Sequence, residues 1–120
     1  MVNINNQASF FKCLLDTGCG MVVVTDGRRG AFVGQAGRVV HCSTVPVEVV
    51  GTAGAGDAFA SAFVSLTGLG WPLERALKAA TINSASVVKH ADTQSGLMTI
   101  SELEGATDSD TVLQVRQWPM

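Results

Sequence analysis

Residues 47–63, VEVVGTAGAGDAFASAF, combine small residues that could bind an anion with one carboxylate that could accept a proton. Backbone without bulky side chains can come close to a ligand, and glycine adopts dihedral angles that other residues avoid. The apolar spacing that follows predicts a helix beginning near Ala55. Such a helix would direct unpaired N–H groups and the positive end of its dipole toward Gly54 and Gly56. This arrangement is typical of phosphate-binding helix ends.

A carboxylate at the same helix end suits phosphoryl transfer. Preorganised N–H donors stabilise the negative charge that spreads over a phosphate as it moves to an acceptor. Asp57 could orient an acceptor hydroxyl and take its proton. Asp57 could also do no more than interact with the helix dipole, as acidic residues do in the first turn of many helices. The spacing alone leaves both interpretations open.

Two other glycine motifs do not fit this stretch. The P-loop pattern requires a lysine after the glycines, and none follows Gly56. The dinucleotide pattern requires a third glycine where Phe59 stands, and that glycine allows close packing of helix and strand. Glu74 lies at the distance of a ribose-binding acid, but it follows Pro72 on a predicted helix. We therefore disfavour a nucleotide-dependent redox protein.

The surrounding sequence predicts alternating helices and strands. The predicted elements are, in order, a helix around residues 10–15, a strand at 21–25, a hairpin of 31–33 with 38–41, an edge strand or extended connection at 45–50, a helix from 55 to 66, a helix opened by Pro72 at its first position, and a short helix starting at 101–104. Residues 107–120 show no clear period. No repeat, linker or second domain is evident.

Composition limits the function classes. The chain has 120 residues, 47% of them hydrophobic, and a net charge of -2, which predicts one globular domain and no nucleic-acid partner. No stretch resembles a leader or a membrane span, so we expect a cytoplasmic protein with no membrane partner. The three cysteines form no C-x-x-C pair, and we expect Cys13, Cys19 and Cys42 to be reduced core thiols.

The glycine-rich stretch and the segments around it resemble the ribokinase-like (pfkB) carbohydrate kinases. Residues 54–63 match the GAGD signature of that family and the small and apolar helix residues after it. Residues 22–31 resemble its strand and T-x-G turn, and residues 71–77 resemble the next helix. The resemblance implies a three-layer α/β sandwich with a partly parallel sheet that ends in an antiparallel hairpin at residues 31–42. Residues 1–120 would form one domain, the C-terminal, nucleotide-side part of such a kinase.

The resemblance also implies roles for individual residues. By it, Asp57 matches the catalytic base, and the N–H groups of Gly54, Ala55 and Gly56 match the anion hole for the transferred phosphate. The implied nucleotide-contacting residues are Thr25, Gly27, Thr81 and, as a second candidate beside Thr81, Asn83. From the residues alone, Thr25 could simply end a strand, Gly27 could make a turn, and Thr81 or Asn83 could be solvated on a helix.

The chain departs from the family pattern in two ways. Gly51 stands where the family commonly has an aspartate that helps to hold a monovalent cation, and Asp92 stands where a glycine is usual in the loop at residues 87–96. We therefore expect a weaker dependence on a monovalent cation than in other members of the family. The sugar-binding half that precedes this segment in the family, with its N-x-x-E motif, has no counterpart here.

The first functional hypothesis is an ATP-dependent kinase of a sugar, nucleoside or related small alcohol. ATP would bring Mg²⁺ with it, and the protein itself would supply no metal site. The alternative is a truncated, non-catalytic remnant that acts as a nucleotide-binding or interaction module. In either case we expect an open apolar face to favour a homo-oligomer or a complementing partner chain.

Overall fold

The computed structural model describes residues 4–35, 37–44, 50–51, 54–89, 96–110 and 112–119. The elements, in chain order, are α1 (Ile4–Leu15), β1 (Val22–Thr25), a 3₁₀ turn (Gly27–Arg29), β2 (Ala31–Gln35), β3 (Arg38–Cys42), α2 (Ala55–Gly68), α3 (Leu73–Val88), α4 (Ile100–Ser109) and β4 (Val115–Pro119). The strands form one sheet in the order β1-β2-β3-β4.

All three strand pairings within the described residues are antiparallel. The predicted hairpin is present as β2 and β3, but these residues do not form the partly parallel sheet that we expected. β1 returns as β2 through a short turn, and a parallel pair requires a much longer crossover. β4 then pairs antiparallel with β3. The strand or connection expected at residues 45–50 lies almost entirely outside the described residues.

Helices cover both faces of the sheet and give three layers. α1 lies on one face, where Phe11 packs with Phe32 and Val39 in a small buried cluster. α3 lies on the other face, and α2 and α4 pack against α3. The larger core lies on this second face, where Val33 and Val40 of the sheet meet helix residues that include Phe63 and Leu77. The expected placement of helices on the two faces is therefore present.

Gly34 allows α1 to approach the sheet. A Cβ atom built at this position would lie 2.5 Å from Cδ1 and 2.9 Å from Cβ of Phe11. Phe11 is fully buried. The ring of Phe11 therefore occupies the space that any larger residue at position 34 would need.

Small residues place α3 at the centre of the second layer. Ala76, Ala79 and Ala80 are fully buried, and their i, i+3, i+4 spacing places them on one face of the helix. Pro72 was predicted to be the first helical residue, but its ψ of 146° is extended and it is the N-cap instead. Its carbonyl accepts the first helical bond, from the N–H of Ala76 at 2.9 Å.

The cysteines do not all lie in the core. Cys42 is buried, whereas Cys13 and Cys19 are exposed, so the expectation of core thiols was wrong for two of the three. Cys13 lies on α1, the outermost layer, and Cys19 lies in the connection that follows it. Burial raises the pKa of the Cys42 thiol, which keeps the thiol neutral and poorly nucleophilic.

Candidate functional site

The N-terminus of α2 exposes backbone donors. Gly54 is the N-cap, with φ 81° and ψ -4°, a left-handed conformation that favours glycine, and no side chain caps the helix. The first helical bond runs from the N–H of Ala58 to the carbonyl of Gly54 at 2.9 Å. The N–H groups of Ala55, Gly56 and Asp57 therefore have no partner within the helix. Together with the helix dipole, these donors give the positive helix end that phosphate groups favour.

The space beside these donors is open. A Cβ atom built on Gly56 would meet nothing within 4 Å, so packing within the described chain does not require glycine there. The Asp57 side chain is exposed, and its carboxylate has no hydrogen bond or ion pair with any residue that the structure describes. A ligand at the helix end would find both the donors and the carboxylate available.

Asn83 fixes the first turn of α2 from the neighbouring helix. Its Nδ2 donates to the carbonyl of Ala58 at 3.0 Å, and its Oδ1 accepts from the N–H of Met98 at 3.0 Å. Only 4% of Asn83 is exposed. The side chain thus joins α3 to the residue that follows Asp57 and to the segment that leads into α4.

The segment after Met98 is itself fixed by a capping box. The Thr99 hydroxyl accepts from the N–H of Glu102, and the Glu102 carboxylate accepts from the N–H of Thr99. The hydrogen bond from the N–H of Thr99 to the carboxylate lowers the pKa of Glu102, since it favours the charged form. Asn83 therefore bonds to Ala58 within α2 and to Met98, the residue directly before this hydrogen-bonded helix start.

The connection that enters the glycine-rich stretch also lies against α3. The N–H groups of Val50 and Gly51 both donate to the carbonyl of Val88, at 2.8 and 3.2 Å. Thr52 and Ala53, which connect Gly51 to Gly54, lie outside the described residues. The same is true of Asp92, so the expectation about a monovalent cation concerns positions that are only partly described.

Strand register brings Thr25 to the sheet face that α3 covers. Thr25 pairs with Ala31, and Ala31 pairs with Cys42. Side chains paired across antiparallel strands lie on the same face, and two strand spacings separate Thr25 from Cys42 by about 10 Å. Burial raises the pKa of the Cys42 thiol, and Thr81 of α3 lies close enough to that thiol to oppose the shift. Thr25 and Thr81 therefore lie toward the same end of the sheet.

Thr81 and Asn83 are both buried, although we expected polar side chains near a nucleotide. Thr81 is 8% exposed and its hydroxyl donates to the carbonyl of Leu77 at 2.9 Å. The Asn83 side-chain amide is already hydrogen-bonded to the carbonyl of Ala58 and the N–H of Met98. Contact with a nucleotide stays a prediction for both residues, and this geometry gives it no support. The sequence did not indicate that Asn83 links α3 to α2.

The turn after β1 presents Gly27 at the surface. Gly27 has a φ of 49°, and a Cβ atom built on it would meet nothing within 4 Å. The turn closes on itself, because the N–H of Asp26 donates to Gly30 at 2.9 Å and the N–H of Gly30 donates to Gly27 at 3.2 Å. Thr25, at the end of β1, and Gly27, in the turn that follows, are both exposed, and a ligand could approach them.

No helix in the described part of the chain is long and apolar enough to cross a membrane. Within the same residues, no three His, Cys, Asp or Glu side chains lie close enough together to hold a metal ion.

Comparison with known proteins decides the family. The model of the pfkB family carbohydrate kinases matches residues 2–100, most of the chain. The chain belongs to the pfkB family of carbohydrate kinases. An ATP-dependent 6-phosphofructokinase from Thermoanaerobacterium thermosaccharolyticum is 40% identical over 67 residues, which are 56% of this chain and 21% of that enzyme.

Solved structures of the family share the fold. A candidate sugar kinase from Clostridium perfringens aligns with 100% of this chain and 38% of its own, with a TM-score of 0.88 and 18% identity. A candidate ribokinase II from Escherichia coli, solved with ATP and Mg²⁺, aligns with 82% of this chain and 32% of its own, with a TM-score of 0.76 and 30% identity. The ribokinase-like α/β fold is confirmed. The chain spans between about a fifth and two fifths of the length of these relatives.

Proposed function

We propose that this pfkB-family chain is the phosphate-binding part of an ATP-dependent kinase, and that it carries the catalytic base. The acceptor would be a hydroxyl of a sugar, a nucleoside or a related small alcohol. The observation that supports the proposal is the N-terminus of α2, where three N–H groups without a partner in the helix adjoin an exposed carboxylate.

The roles follow from the geometry of that helix end. The N–H groups of Ala55, Gly56 and Asp57, with the left-handed Gly54 before them, stabilise negative charge on the transferred phosphate without rearrangement. The Asp57 carboxylate accepts the proton of the acceptor hydroxyl as the new P–O bond forms and the bond to the leaving ADP breaks. Thr25, the last residue of β1, and Gly27, in the turn after it, would contact the nucleotide.

The residues fit a nucleotide better than they fit a bare metal. Gly56 leaves open the space that a phosphate would occupy, whereas the described residues contain no cluster of metal ligands. Mg²⁺ would therefore be held mainly by the nucleotide phosphates, whose charge it neutralises. We place no monovalent cation in the site.

A second candidate function is a non-catalytic nucleotide-binding or interaction module. The specific observation in its favour is that the described residues supply one exposed helix end and one exposed turn, whereas phosphoryl transfer also needs an acceptor held in line with the phosphate. Such a module would retain the anion-binding end of α2 but would hold no acceptor.

A binding experiment tests what the two candidates share. The ¹⁵N-labelled chain is titrated with Mg·ATP and, separately, with inorganic phosphate while its amide signals are followed by NMR. We expect both ligands to shift the amides of Ala55, Gly56 and Asp57. Absence of any shift at these amides, with either ligand at millimolar concentration, would remove the basis of both candidates.

Asp57→Asn tests the catalytic role, in a kinase that contains this segment and the sugar-side part of the fold. Because the carboxylate would act on the acceptor proton in the transition state, kcat should fall by about two to four orders of magnitude while the KM for ATP changes little. Glu104→Gln is the matched control, since it neutralises an exposed acid on α4. A variant that keeps a third of the wild-type turnover would reduce Asp57 to a helix-end carboxylate.

A further inference from the structure

His41 contacts the turn after β1 but has no role in the proposed chemistry. Its Nε2 lies 2.6 Å from the carbonyl oxygen of Arg29, the last residue of the 3₁₀ turn. A carbonyl oxygen can only accept a hydrogen bond, so Nε2 must carry the proton and donate. A side chain on β3 is therefore bonded directly to the backbone of the turn.

Packing fixes the direction in which His41 donates. Its ring lies 4.5 Å from the ring of Phe32, tilted by 31°, and 6.2 Å from the ring of Trp118. Phe32 is fully buried and pairs with His41 across the sheet. The imidazole is thus held on the sheet, with its Nε2–H directed at the turn.

The turn fits closely against the same residues of β3. Gly30 has a φ of 92°, and a Cβ atom built on it would overlap the carbonyl oxygen of Cys42 and lie 2.8 Å from Nε2 of His41. The N–H of Asp26 bonds to Gly30 at 2.9 Å, and the N–H of Arg29 bonds to Asp26 at 2.9 Å. The end of the turn that His41 holds is therefore hydrogen-bonded to its beginning.

We propose that His41 is a positioning residue that fixes the turn at residues 26–30 in the conformation that contacts a nucleotide. The proposal rests on the proposed function, which places Thr25 and Gly27 at the nucleotide. A turn that samples other conformations binds with an affinity reduced by the fraction of competent molecules. The N-terminus of α2 is a separate element, so phosphate bound there does not depend on His41.

Two substitutions separate the hydrogen bond from the ring. His41→Phe keeps a ring against Phe32 and removes the donor, whereas His41→Gln keeps an N–H donor in the region of Nε2. For the wild-type chain and both variants, calorimetry gives the Kd of Mg·ATP and of inorganic phosphate. Hydrogen exchange of the Asp26 and Gly30 amides, followed by NMR, reports the order of the turn directly.

We expect His41→Phe to raise the Kd of Mg·ATP by about fivefold, the size of one lost hydrogen bond, and to speed exchange of both amides by a similar factor. The Kd of phosphate should stay within about twofold of wild type, and His41→Gln should resemble wild type in every measurement. Unchanged ATP affinity and unchanged exchange in His41→Phe would overturn the proposal. An equal rise in the Kd of Mg·ATP and of phosphate in both variants would also overturn the proposal, because it would show a general loss of folding.

The exchange measurement keeps this proposal separate from the proposed function. If the wild-type chain binds no Mg·ATP, the nucleotide binding that the proposed function requires is contradicted. Faster exchange at Asp26 and Gly30 in His41→Phe, with normal exchange in His41→Gln, would then still establish that His41 orders the turn. Unchanged exchange in both variants would reject that role as well.

Discussion

At the scale of single residues, the candidate site depends mainly on backbone groups. Small residues and a carboxylate at a helix start follow local rules, which is why Gly54, Gly56 and Asp57 could be picked out from the sequence. Asn83 could not be interpreted in the same way. Its partners Ala58 and Met98 are distant in sequence, and only the packing of α2 and α4 against α3 brings them to it.

Gly56→Ala separates the ligand role of this glycine from its structural role. The position is helical and a Cβ atom would point into open space, so alanine should stabilise the chain by about 0.5–1 kcal/mol. The added methyl group would occupy space beside the N–H donors, and we expect the Kd of phosphate to rise at least several-fold. Urea unfolding and phosphate titration measure the two effects.

Gly105→Ala is the matched control for Gly56→Ala. Gly105 lies within α4, and its built Cβ atom also meets nothing within 4 Å. The same gain in stability is expected there, with no change in phosphate binding. If both variants bind phosphate as wild type does, the space beside Gly56 is not the binding site.

Asn83→Ala should destabilise the chain strongly. The substitution leaves the N–H of Met98 without its partner and removes a hydrogen bond to Ala58, so we expect a loss of about 2–4 kcal/mol in the free energy of unfolding. Thr81→Val is the control, because the Thr81 hydroxyl donates to the carbonyl of Leu77 in its own helix, and the substitution should cost less than about 1.5 kcal/mol. Similar losses in the two variants, measured in urea, would contradict the linking role of Asn83.

At the scale of elements, periodicity predicted the helices and the hairpin but not β4. α2 and α3 carry apolar stripes at helical spacing, and their predicted positions agree with those in the structure. β4 pairs Val115 with Cys42 and Trp118 with Val39, yet its sequence, VRQWP, has few apolar residues and ends in proline. An edge strand of this kind is specified by its partner strand, so the local pattern gives little signal.

Gly34→Ala tests how α1 is attached to the sheet. A methyl group at position 34 would collide with the Phe11 ring, and displacing that buried ring should cost about 1–3 kcal/mol. Phe11→Leu removes part of the ring, so Gly34→Ala should cost less in that background. The double-mutant cycle from urea unfolding gives this coupling. Additive losses would show that α1 does not depend on the contact.

At the scale of the whole molecule, the described residues leave apolar surface and a sheet edge uncovered. β1 is the first strand of the sheet, and Val23 on it is 39% exposed. Val64 is 68% exposed and Leu69 is 63% exposed, on and just after α2. Unpaired strand edges and exposed apolar side chains promote association. The order of the strands and their open edge could not be deduced from local periodicity, because they depend on pairing between distant segments.

The 120-residue chain by itself should not phosphorylate a sugar or a nucleoside. Phosphoryl transfer requires an acceptor held in line with the γ-phosphate and shielded from water, whereas the described residues supply one exposed helix end and one exposed turn. We therefore expect that ADP release with a panel of sugars and nucleosides is no faster than background. We also expect the chain to self-associate through the edge of β1. Light scattering should show oligomers, and Val23→Lys, which places a charge on that edge, should shift them toward monomer. A monodisperse wild-type monomer that releases ADP at a normal kinase rate only when an acceptor is present would show that this chain forms a complete active site.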